Sequence, residues 1–592
     1  MMRQAMTRKL NQVAESKGSG SVSYPAARKC GTHNLTWLRR TTSPLLPLLM
    51  LLLCPFKSSA QTANAVPVRE SDAICGLCHS AILESYLKTP MANASGLAAE
   101  RLLPGSYQQP SSGVTYGITK EGGSALLHYT IPMAPPIHGQ ESLKYFLGSG
   151  HLGLTYLYEK NGYWLESPVA FYAKLDAYAM KPGLENSPEM PPALPLDPTC
   201  LRCHMSGVQK QVAGTENLYN QLPFNQVGIT CESCHGDTRD HVLTKGRAAV
   251  INPVKLSPDR RDSTCIVCHL EGDTHVERRN PLDFKPGDDI RDYLAYFVHA
   301  GQNTTRRAVS EIEQFNDSRC KRVTGPAMSC MNCHDPHRSP NASERVAYYR
   351  AKCLACHSAP AFASQHFSSN PDCTSCHMPK TGSENIAHVA WTDHRIRRPP
   401  SDPKDPLPDA PSPPQQPAAA PSDLTPVLTG AVSTRDLGLA YYDLVSAGDR
   451  SQRPKARQLL TAALQTNPSD ALVLRSLGIL AQMDGDAPQA KQYYRAALAQ
   501  DPVNFVSGTN LGTLLAAAGD LQAAADIWTR AFEHNQDLPE LGLNLAIANC
   551  RLGRKDLAQQ ALASVLTYSP GLLDGRHLLA AIDRGQQPCT AH

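Results

Sequence analysis

Several features that mark other protein classes are scarce in this 592-residue chain. Charged residues make up 19% and the formal net charge is only +4, so the composition indicates no nucleic-acid surface. Aromatic residues make up 6%, and no apolar run reaches the ~20 residues that a membrane-spanning helix needs. The hydrophobic fraction of 41% excludes a disordered chain, and the length excludes a mini-protein and predicts several domains.

Cysteine and histidine, by contrast, are abundant, with 19 and 21 residues. The cysteine density is too low for a small disulfide scaffold, and the odd count would leave one thiol over. Most of both lie within 61–395. Residues 396–433 are rich in proline, which predicts an extended linker, and 434–592 are rich in alanine and leucine at helical spacing.

The N-terminal residues predict a cleaved export signal. Basic Arg39 and Arg40 precede the apolar run Leu45–Cys54, and small residues up to Ala60 follow. We expect cleavage after Ala60, which makes 1–60 a signal peptide and the mature protein periplasmic or otherwise exported, with no transmembrane segment. Lipid attachment at Cys54 is disfavoured because bulky Leu53 precedes it.

The C-terminal region repeats with a period of 34 residues. The recurring markers are Pro468, Pro502 and Pro570; Leu477-Gly478 and Leu511-Gly512; Gly485, Gly519 and Gly553; and Ala456, Ala490, Ala524 and Ala558. This period and pattern are typical of tetratricopeptide repeats, whose concave surface binds peptides or proteins. We predict four units, at 437–470, 471–504, 505–538 and 539–572, with a closing helix at 573–586. An unrelated helical bundle is the alternative.

The central region contains seven copies of the motif C-x-x-C-H, which is typical of covalent haem c attachment. The cysteine pairs are Cys75/Cys78, Cys200/Cys203, Cys231/Cys234, Cys265/Cys268, Cys330/Cys333, Cys353/Cys356 and Cys373/Cys376. The proximal iron ligands are His79, His204, His235, His269, His334, His357 and His377. On one helical turn, both thiols can add to the haem vinyl groups while the following histidine faces the iron.

Zinc or dithiol chemistry is the competing interpretation of a C-x-x-C pair. Neither requires a histidine after the second cysteine, whereas all seven pairs here have one. The motifs account for 14 cysteines, and Cys30 and Cys54 lie in the signal segment. The remaining cysteines, Cys320, Cys550 and Cys589, are scattered and predict no disulfide framework, and Cys320 is open to a reactive or buried role.

Histidines outside the motifs are numerous enough to supply sixth ligands. The strongest candidates are His241, His337, His388 and His394, because they lie close to or after a motif, and His366 ranks next. His337 lies only three residues after His334, so we expect it to serve a neighbouring haem. His128, His138, His151, His275 and His299 are weaker candidates, and Met91 is an alternative ligand for the first haem.

The stretch between the first two motifs alternates apolar and polar residues and turns at glycine pairs, which predicts a small β-rich insertion at about 100–190. The predicted fold class is otherwise mainly α. It comprises a haem-packed cytochrome domain at 61–395, in which the porphyrins form much of the core, the linker, and an α-solenoid at 434–592.

The sequence C-x-x-C-H-D-P-H at Cys330 to His337, followed by C-x-x-C-H-M-P-K at Cys373 to Lys380, resembles the multihaem cytochromes grouped with cytochromes c-552 and c-554. That superfamily includes ammonia-forming nitrite reductase and hydroxylamine oxidoreductase. The resemblance covers roughly 70–400 and implies bis-histidine haems, with His388 in the place of a distal ligand. The C-x-x-C-K motif of nitrite reductase is absent.

Three functions remain open at this point, of which the third is mainly a scaffold with vestigial haems. The first is an exported electron-transfer cytochrome that passes electrons between redox partner proteins, with the repeats docking a protein partner. The second is a multihaem oxidoreductase that acts on a small nitrogen or sulfur compound at a haem with an open sixth position. The repeats are not expected to be catalytic, and no catalytic residue is assigned.

Overall fold

A computed structural model describes residues 70–300, 307, 309–359, 370–383, 390–397 and 423–585. The predicted signal peptide, His366, His388 and Cys589 lie outside the described residues. The helices are α1 (Glu70–Gly76), α2 (Ser80–Tyr86), α3 (Pro198–His204), α4 (Glu232–His235), α5 (Arg239–Leu243), α6 (Pro258–His269), α7 (Glu311–Asp317), α8 (Arg319–Thr324), α9 (Arg345–Leu354), α10 (Cys373–His377), α11 (Thr434–Ala447), α12 (Arg453–Thr466), α13 (Ala471–Met483), α14 (Ala487–Gln500), α15 (Phe505–Ala517), α16 (Leu521–Phe532), α17 (Pro539–Arg551), α18 (Lys555–Tyr568) and α19 (Leu573–Asp583).

An antiparallel ten-stranded sheet fills the space between the first two motifs. Its strands are β1 (Ser95–Leu97), β2 (Gly105–Gln108), β3 (Thr115–Glu121), β4 (Ser124–Ile131), β5 (Ile137–Leu147), β6 (Gly153–Lys160), β7 (Tyr163–Glu166), β8 (Val169–Tyr172), β9 (Ala177–Met180) and β10 (Leu194–Pro195). The order is β10-β7-β6-β5-β4-β3-β2, with β1 beside β5, and β8 beside β6 and β9. Glu121 pairs with Ser124 across Gly122 and Gly123, both at positive φ, as the glycine pair predicts.

The sheet corrects the predicted fold class, because "mainly α" describes only the remainder of the chain. Alternate residues of β3 to β6 point into one core, in which Tyr116, Leu127, Tyr156 and Leu165 are almost completely buried. The predicted small insertion is therefore a substantial apolar body. It packs its own side chains and does not depend on porphyrins for a core.

The motif region itself consists of short helices and two- or three-stranded sheets. The short strands are β11 (Met205–Ser206), β12 (Gln226–Val227), β13 (Thr274–Glu277), β14 (Leu294–His299), β15 (Lys380–Gly382) and β16 (Ala390–Thr392). Two motif helices begin at capping aspartates, since Asp197 accepts from the Thr199 amide and Asp372 from the Thr374 amide. Capping fixes these short turns, which are too short to be stable alone.

Helices α11 to α18 form four consecutive pairs, and α19 follows them. The pairing agrees with the predicted helical repeats. Gly478 lies against the Tyr494 ring of its own pair, where an added Cβ would be 2.6 Å from Tyr494 Cε1, and Gly512 lies against Trp528 in the same way. Glycine therefore allows the two helices of a pair to approach over a large aromatic ring. Among the described residues, no helix combines the length and the apolar character needed to cross a bilayer.

The end of the predicted linker is ordered, which corrects the assignment of 396–433 as an extended segment throughout. Strand β17 (Leu424–Pro426) pairs with β14, and Leu424 is buried. Its proline stands at the last position of a three-residue edge strand, and the next amide, that of Val427, donates to the Tyr296 carbonyl at 2.9 Å. The adjoining α11 contacts β13 through the Thr274 hydroxyl, which donates to Asp443 at 2.6 Å.

The turns between the repeat pairs pack against the ten-stranded sheet region. Tyr568 at the end of α18 meets the Tyr163 ring edge-on, with centroids 5.2 Å apart. The Gln536 amide donates to Tyr163 Oη at 3.1 Å, and Asn535 Nδ2 donates to the Gly214 carbonyl at 3.0 Å. The repeat region is therefore bonded to the cytochrome region along its turns.

Candidate haem c sites

Each C-x-x-C-H motif described in the structure closes one tight backbone turn. The histidine amide donates to the carbonyl of the first cysteine at 2.8 Å for His79, 3.0 Å for His235, 2.8 Å for His334 and 3.0 Å for His357. This turn places both thiols and the imidazole on neighbouring positions, as the spacing predicts. The local geometry therefore suits two thioether bonds and one iron ligand.

Motifs that are distant in sequence touch through their cysteines. Thiol contacts join Cys75 to Cys231, Cys203 to Cys268, Cys265 to Cys330 and Cys353 to Cys373. The second and third motifs are joined by the Ser206 and Ser233 hydroxyls at 2.9 Å, and the Cys333 thiol lies within electrostatic range of Cys356. The seven motifs thus form one contiguous cluster in which the fourth contacts both the second and the fifth.

The second cysteine of the seventh motif is placed differently from the thiols that join the motifs. Cys376 is exposed, and its Sγ atom lies 3.8 Å from the hydroxyl of its neighbour Ser375, whereas Cys373 carries the contact with the sixth motif. Cys78 and Cys356 are exposed as well. Haem attachment at Cys376, as at the other motif cysteines, stays a prediction.

Backbone carbonyls orient several of the histidines. Nδ1 lies 3.1 Å from the Ala94 carbonyl for His204, 2.8 Å from that of Ile251 for His235, and 2.7 Å from that of Arg397 for His377. A carbonyl can only accept, so Nδ1 carries the proton and the Nε2 lone pair is left free. This is the tautomer that a metal-ligating histidine requires.

Two histidines outside the motifs are oriented in the same manner. His241 Nδ1 lies 2.7 Å from the Ala248 carbonyl, and His394 Nδ1 lies 2.9 Å from the Thr392 carbonyl. The His394 amide also donates to the buried Gln314 side chain at 2.9 Å. Both residues therefore present Nε2 from a fixed ring, as a sixth ligand would.

Three pairs of histidine rings each combine a motif residue with one outside the motifs. The centroid distances are 6.4 Å for His79 and His241, 5.9 Å for His235 and His337, and 6.3 Å for His334 and His394. Metal–imidazole bonds are about 2 Å long, so two imidazoles on opposite sides of one metal would have ring centroids about 6 Å apart. The distances match that arrangement, and His337 lies beside a haem site other than that of its own motif.

The other histidines proposed as ligands are placed elsewhere. His128 bonds to Thr119 at 2.9 Å and His138 to Thr130 at 3.1 Å, both within the large sheet. His151 is exposed in the turn before β6. At the first motif, the His241 ring lies beside His79. Met91, the alternative ligand for this haem, accepts a hydrogen bond from the Ile229 amide through its backbone carbonyl.

Two more histidines lie in or beside β13 and β14. His275 lies 5.8 Å from the Tyr296 ring, and burial lowers its pKa. His299 Nδ1 lies 2.9 Å from Asp273 Oδ2, which raises the pKa of His299. Asp273 also pairs with buried Arg307, so this histidine belongs to a network of charged side chains.

Burial keeps several motif histidines neutral, which is the form that binds iron. It lowers the pKa of His204 and lowers that of His334 to about 4, with further repulsion from His394 and His269. His269 differs, because the Glu311 carboxylate raises its pKa. The pKa shift of the fourth motif's histidine is therefore opposite in direction to the shifts of the histidines in the second and fifth motifs.

Exposed leucines and buried polar atoms near the motifs both fit the presence of porphyrins. Leu77 is 84% exposed inside the first motif, and Leu243, two residues after His241, is 79% exposed. Apolar surface of this kind is what a porphyrin covers. Arg202 Nε and Tyr296 Oη, beside the second and fourth motifs, are buried without a hydrogen-bond partner among the described residues. Haem propionates would accept from both groups.

Sequence reasoning missed the groups that orient the histidines. Five of them are backbone carbonyls, which carry no residue-specific signal, and a sixth is Glu311, whose carboxylate lies 3.9 Å from His269 Nδ1. Cys550 is disulfide-bonded, so the expectation of no disulfide framework is wrong for this residue. Cys320 is a partly buried free thiol within electrostatic range of Cys333 and Cys353.

Two family models match parts of the motif region. The model described as cytochrome c554 and c-prime matches residues 172–236, which contain the second and third motifs. The model described as a doubled CXXCH motif matches residues 324–362, which contain the fifth and sixth. The chain therefore contains cytochrome c segments that bind haem c covalently. No curated protein sequence matches it.

Solved structures are similar to shorter parts of the chain. A crystal structure of MamA has 19% sequence identity, covers 23% of this chain and 80% of that chain, and has a TM-score of 0.22. YrrB, described as a TPR protein with an unusual peptide-binding site, has 21% identity, covers 25% and 76%, and has a TM-score of 0.24. PilF of Pseudomonas aeruginosa has 20% identity, covers 25% and 68%, and has a TM-score of 0.23.

Proposed function

We propose that this protein is an exported seven-haem cytochrome that conducts electrons between redox partner proteins. The observation that carries the proposal is the contiguous cluster of motifs, in which each described motif lies against at least one other. Haem c at each motif would supply one-electron chemistry, and the chain would hold neighbouring groups at contact distances. Such an array transfers electrons over a length that no single haem could span.

The ligand arrangement supports electron transfer over catalysis. We assign His241, His337 and His394 as sixth ligands of the haems at the first, third and fifth motifs, since their rings lie 5.9 to 6.4 Å from the motif rings. With an imidazole from each of two histidines bound, these irons would have no open site for a substrate. We propose His388 and His366 as ligands on sequence position alone.

Export is supported by two independent features. Covalent haem is attached outside the cytoplasm, and the disulfide bond at Cys550 is typical of an oxidising compartment. The signal peptide with cleavage after Ala60 is the segment that would direct the chain there. We propose a periplasmic or otherwise extracytoplasmic location on these grounds.

The repeat region supports a docking role. Its turns are occupied by contacts with Tyr163 and the Gly214 carbonyl, so the helix faces are the surfaces that remain for a partner. Ile479, Thr513 and Ile547 occupy the same position in three successive first helices and are partly exposed. This repeated, uncharged stripe suits a peptide or protein with an apolar surface. We propose that it holds a redox partner close to the motif cluster.

Electron paramagnetic resonance of the purified protein tests the proposed function against the catalytic alternative. We expect low-spin ferric signals and no change on adding nitrite or hydroxylamine, because imidazole occupies the sixth positions. A high-spin component that shifts when either compound is added would contradict a pure electron-transfer role. It would assign the protein to oxidoreductases that act on small nitrogen compounds.

A further inference from the structure

The acceptor beside His269 differs in kind from those beside the other oriented motif histidines. The Nδ1 atoms of His204, His235 and His377 face neutral backbone carbonyls at 2.7 to 3.1 Å. His269 Nδ1 instead lies 3.9 Å from Glu311 Oε2, at ion-pair distance. The histidine of the fourth motif therefore faces a negatively charged carboxylate, whereas the histidines of the other three motifs face the dipole of a neutral carbonyl.

The Glu311 carboxylate has few other partners. Its Oε2 atom is buried and accepts no hydrogen bond of ordinary length from any described residue. His269, His394 and His334 lie within electrostatic range of it. Arg307, the nearest arginine in sequence, pairs with Glu313 and Asp273. The Glu311 side chain is only 29% exposed. A carboxylate in such a place is stabilised by nearby positive charge, which an oxidised iron–imidazole unit would provide.

The position of Glu311 is fixed by its own helix. Glu311 is the first residue of α7, and Gln314 of that helix bonds to Ser310 at 2.7 Å. Gln314 also accepts from the His394 amide. Helix α7 thus contacts the histidine of the fourth motif and the proposed sixth ligand of the fifth, and holds the carboxylate at the junction between these two sites.

We propose that Glu311 is a positioning residue that lowers the reduction potential of the haem at the fourth motif by stabilising its oxidised form. This inference rests on the proposed function, because it requires haem at His269. The physical cause is the attraction between a partly buried carboxylate and a cationic iron–imidazole unit, which would weaken when the iron gains an electron. Glu311 itself is neither oxidised nor reduced.

The location gives this tuning a consequence for electron flow. The fourth motif contacts the second through Cys203 and Cys268, and the fifth through Cys265 and Cys330. A lowered potential at this junction places an energetic step between the motifs on its two sides. Glu311 therefore sets how readily electrons pass from one half of the array to the other.

Potentiometric titration of the full-length mature protein, followed by visible absorption, tests the proposal with the Glu311→Gln variant. Glutamine keeps the size and removes the charge. We expect the reduced-to-oxidised ratio of one haem at fixed potential to increase about tenfold, which is about 59 mV for a one-electron couple. The matched control is Glu313→Gln. It removes a carboxylate that lies on the same helix and faces Arg307, and it should leave the potential of that haem unchanged.

The outcomes separate the proposal from the proposed function. If Glu311→Gln binds seven haems and its titration superimposes on the wild-type curve, the proposed role of Glu311 is overturned, whereas the proposed function is not. A wild-type chain without haem at the fourth motif overturns the proposed function. If Glu311→Gln does not accumulate, Glu311→Asp, which withdraws the charge by one methylene, should shift the same component upward by less. A superimposable aspartate curve would also overturn the proposal.

Discussion

Replacing Cys265 and Cys268 together with alanine is expected to remove most of the folded protein. The fourth motif contacts the second and the fifth, so its haem would fill the junction of the cluster. Because domains are stable by only about 5–15 kcal/mol, loss of a large buried group at a junction exhausts that margin. The measurement is the yield of soluble haem protein from the exported fraction, with haem counted per chain.

The matched control is the double replacement of Cys75 and Cys78. It removes the two equivalent thiols from the first motif, where Leu77 is exposed and the Cys75 thiol contacts Cys231 of the third motif. We expect this variant to accumulate with six haems. Equal yields of six-haem protein from both variants would contradict a central position for the fourth motif.

Replacing His394 with alanine is expected to convert one haem in seven from low to high spin. The His394 ring lies 6.3 Å from that of His334 and is fixed by the Thr392 carbonyl and the Gln314 side chain. If His394 is the sixth ligand of the haem at the fifth motif, its removal would open that position and leave the His334 side in place. The change should appear as a new high-spin resonance and as binding of cyanide or carbon monoxide.

His138→Ala is the control for that experiment. His138 was also a possible ligand from the sequence, but it lies on β5 and bonds to Thr130 across the sheet. We expect its spectrum to match that of the wild type. An unchanged low-spin spectrum for His394→Ala would refute its assignment as a ligand, and a high-spin signal from His138→Ala would move the assignment to the sheet.

The haem motifs and the repeats could be predicted from the sequence because both are local patterns at fixed spacing. The tight turn from Cys330 to His334 and the pair α13 and α14 follow from residues that are close in the chain. The predicted β-rich insertion was too small. Alternation of apolar and polar residues indicates single strands, but it does not show how many of them pair into one antiparallel sheet. The strand Leu424–Pro426 was missed because proline-rich surroundings obscured one buried leucine.

The ligand pairings depend on tertiary structure and were only partly accessible. Proximity to a motif identified His241, His337 and His394 as candidates, but which motif each faces is set by contacts between distant segments. Glu311 was missed because it lies 42 positions from His269 and reaches it only when α7 packs beside α6. A carboxylate in an ordinary amphipathic turn carries no signal of that role.

The most direct test is the number of haems bound to each mature chain. Intact-mass spectrometry under denaturing conditions retains only covalently attached groups, and the pyridine haemochrome spectrum quantifies them independently. Seven motifs predict seven haems per chain by both methods. A count well below seven would contradict the account, because the contiguous array, the assigned ligands and the tuning by Glu311 all depend on haem at each motif.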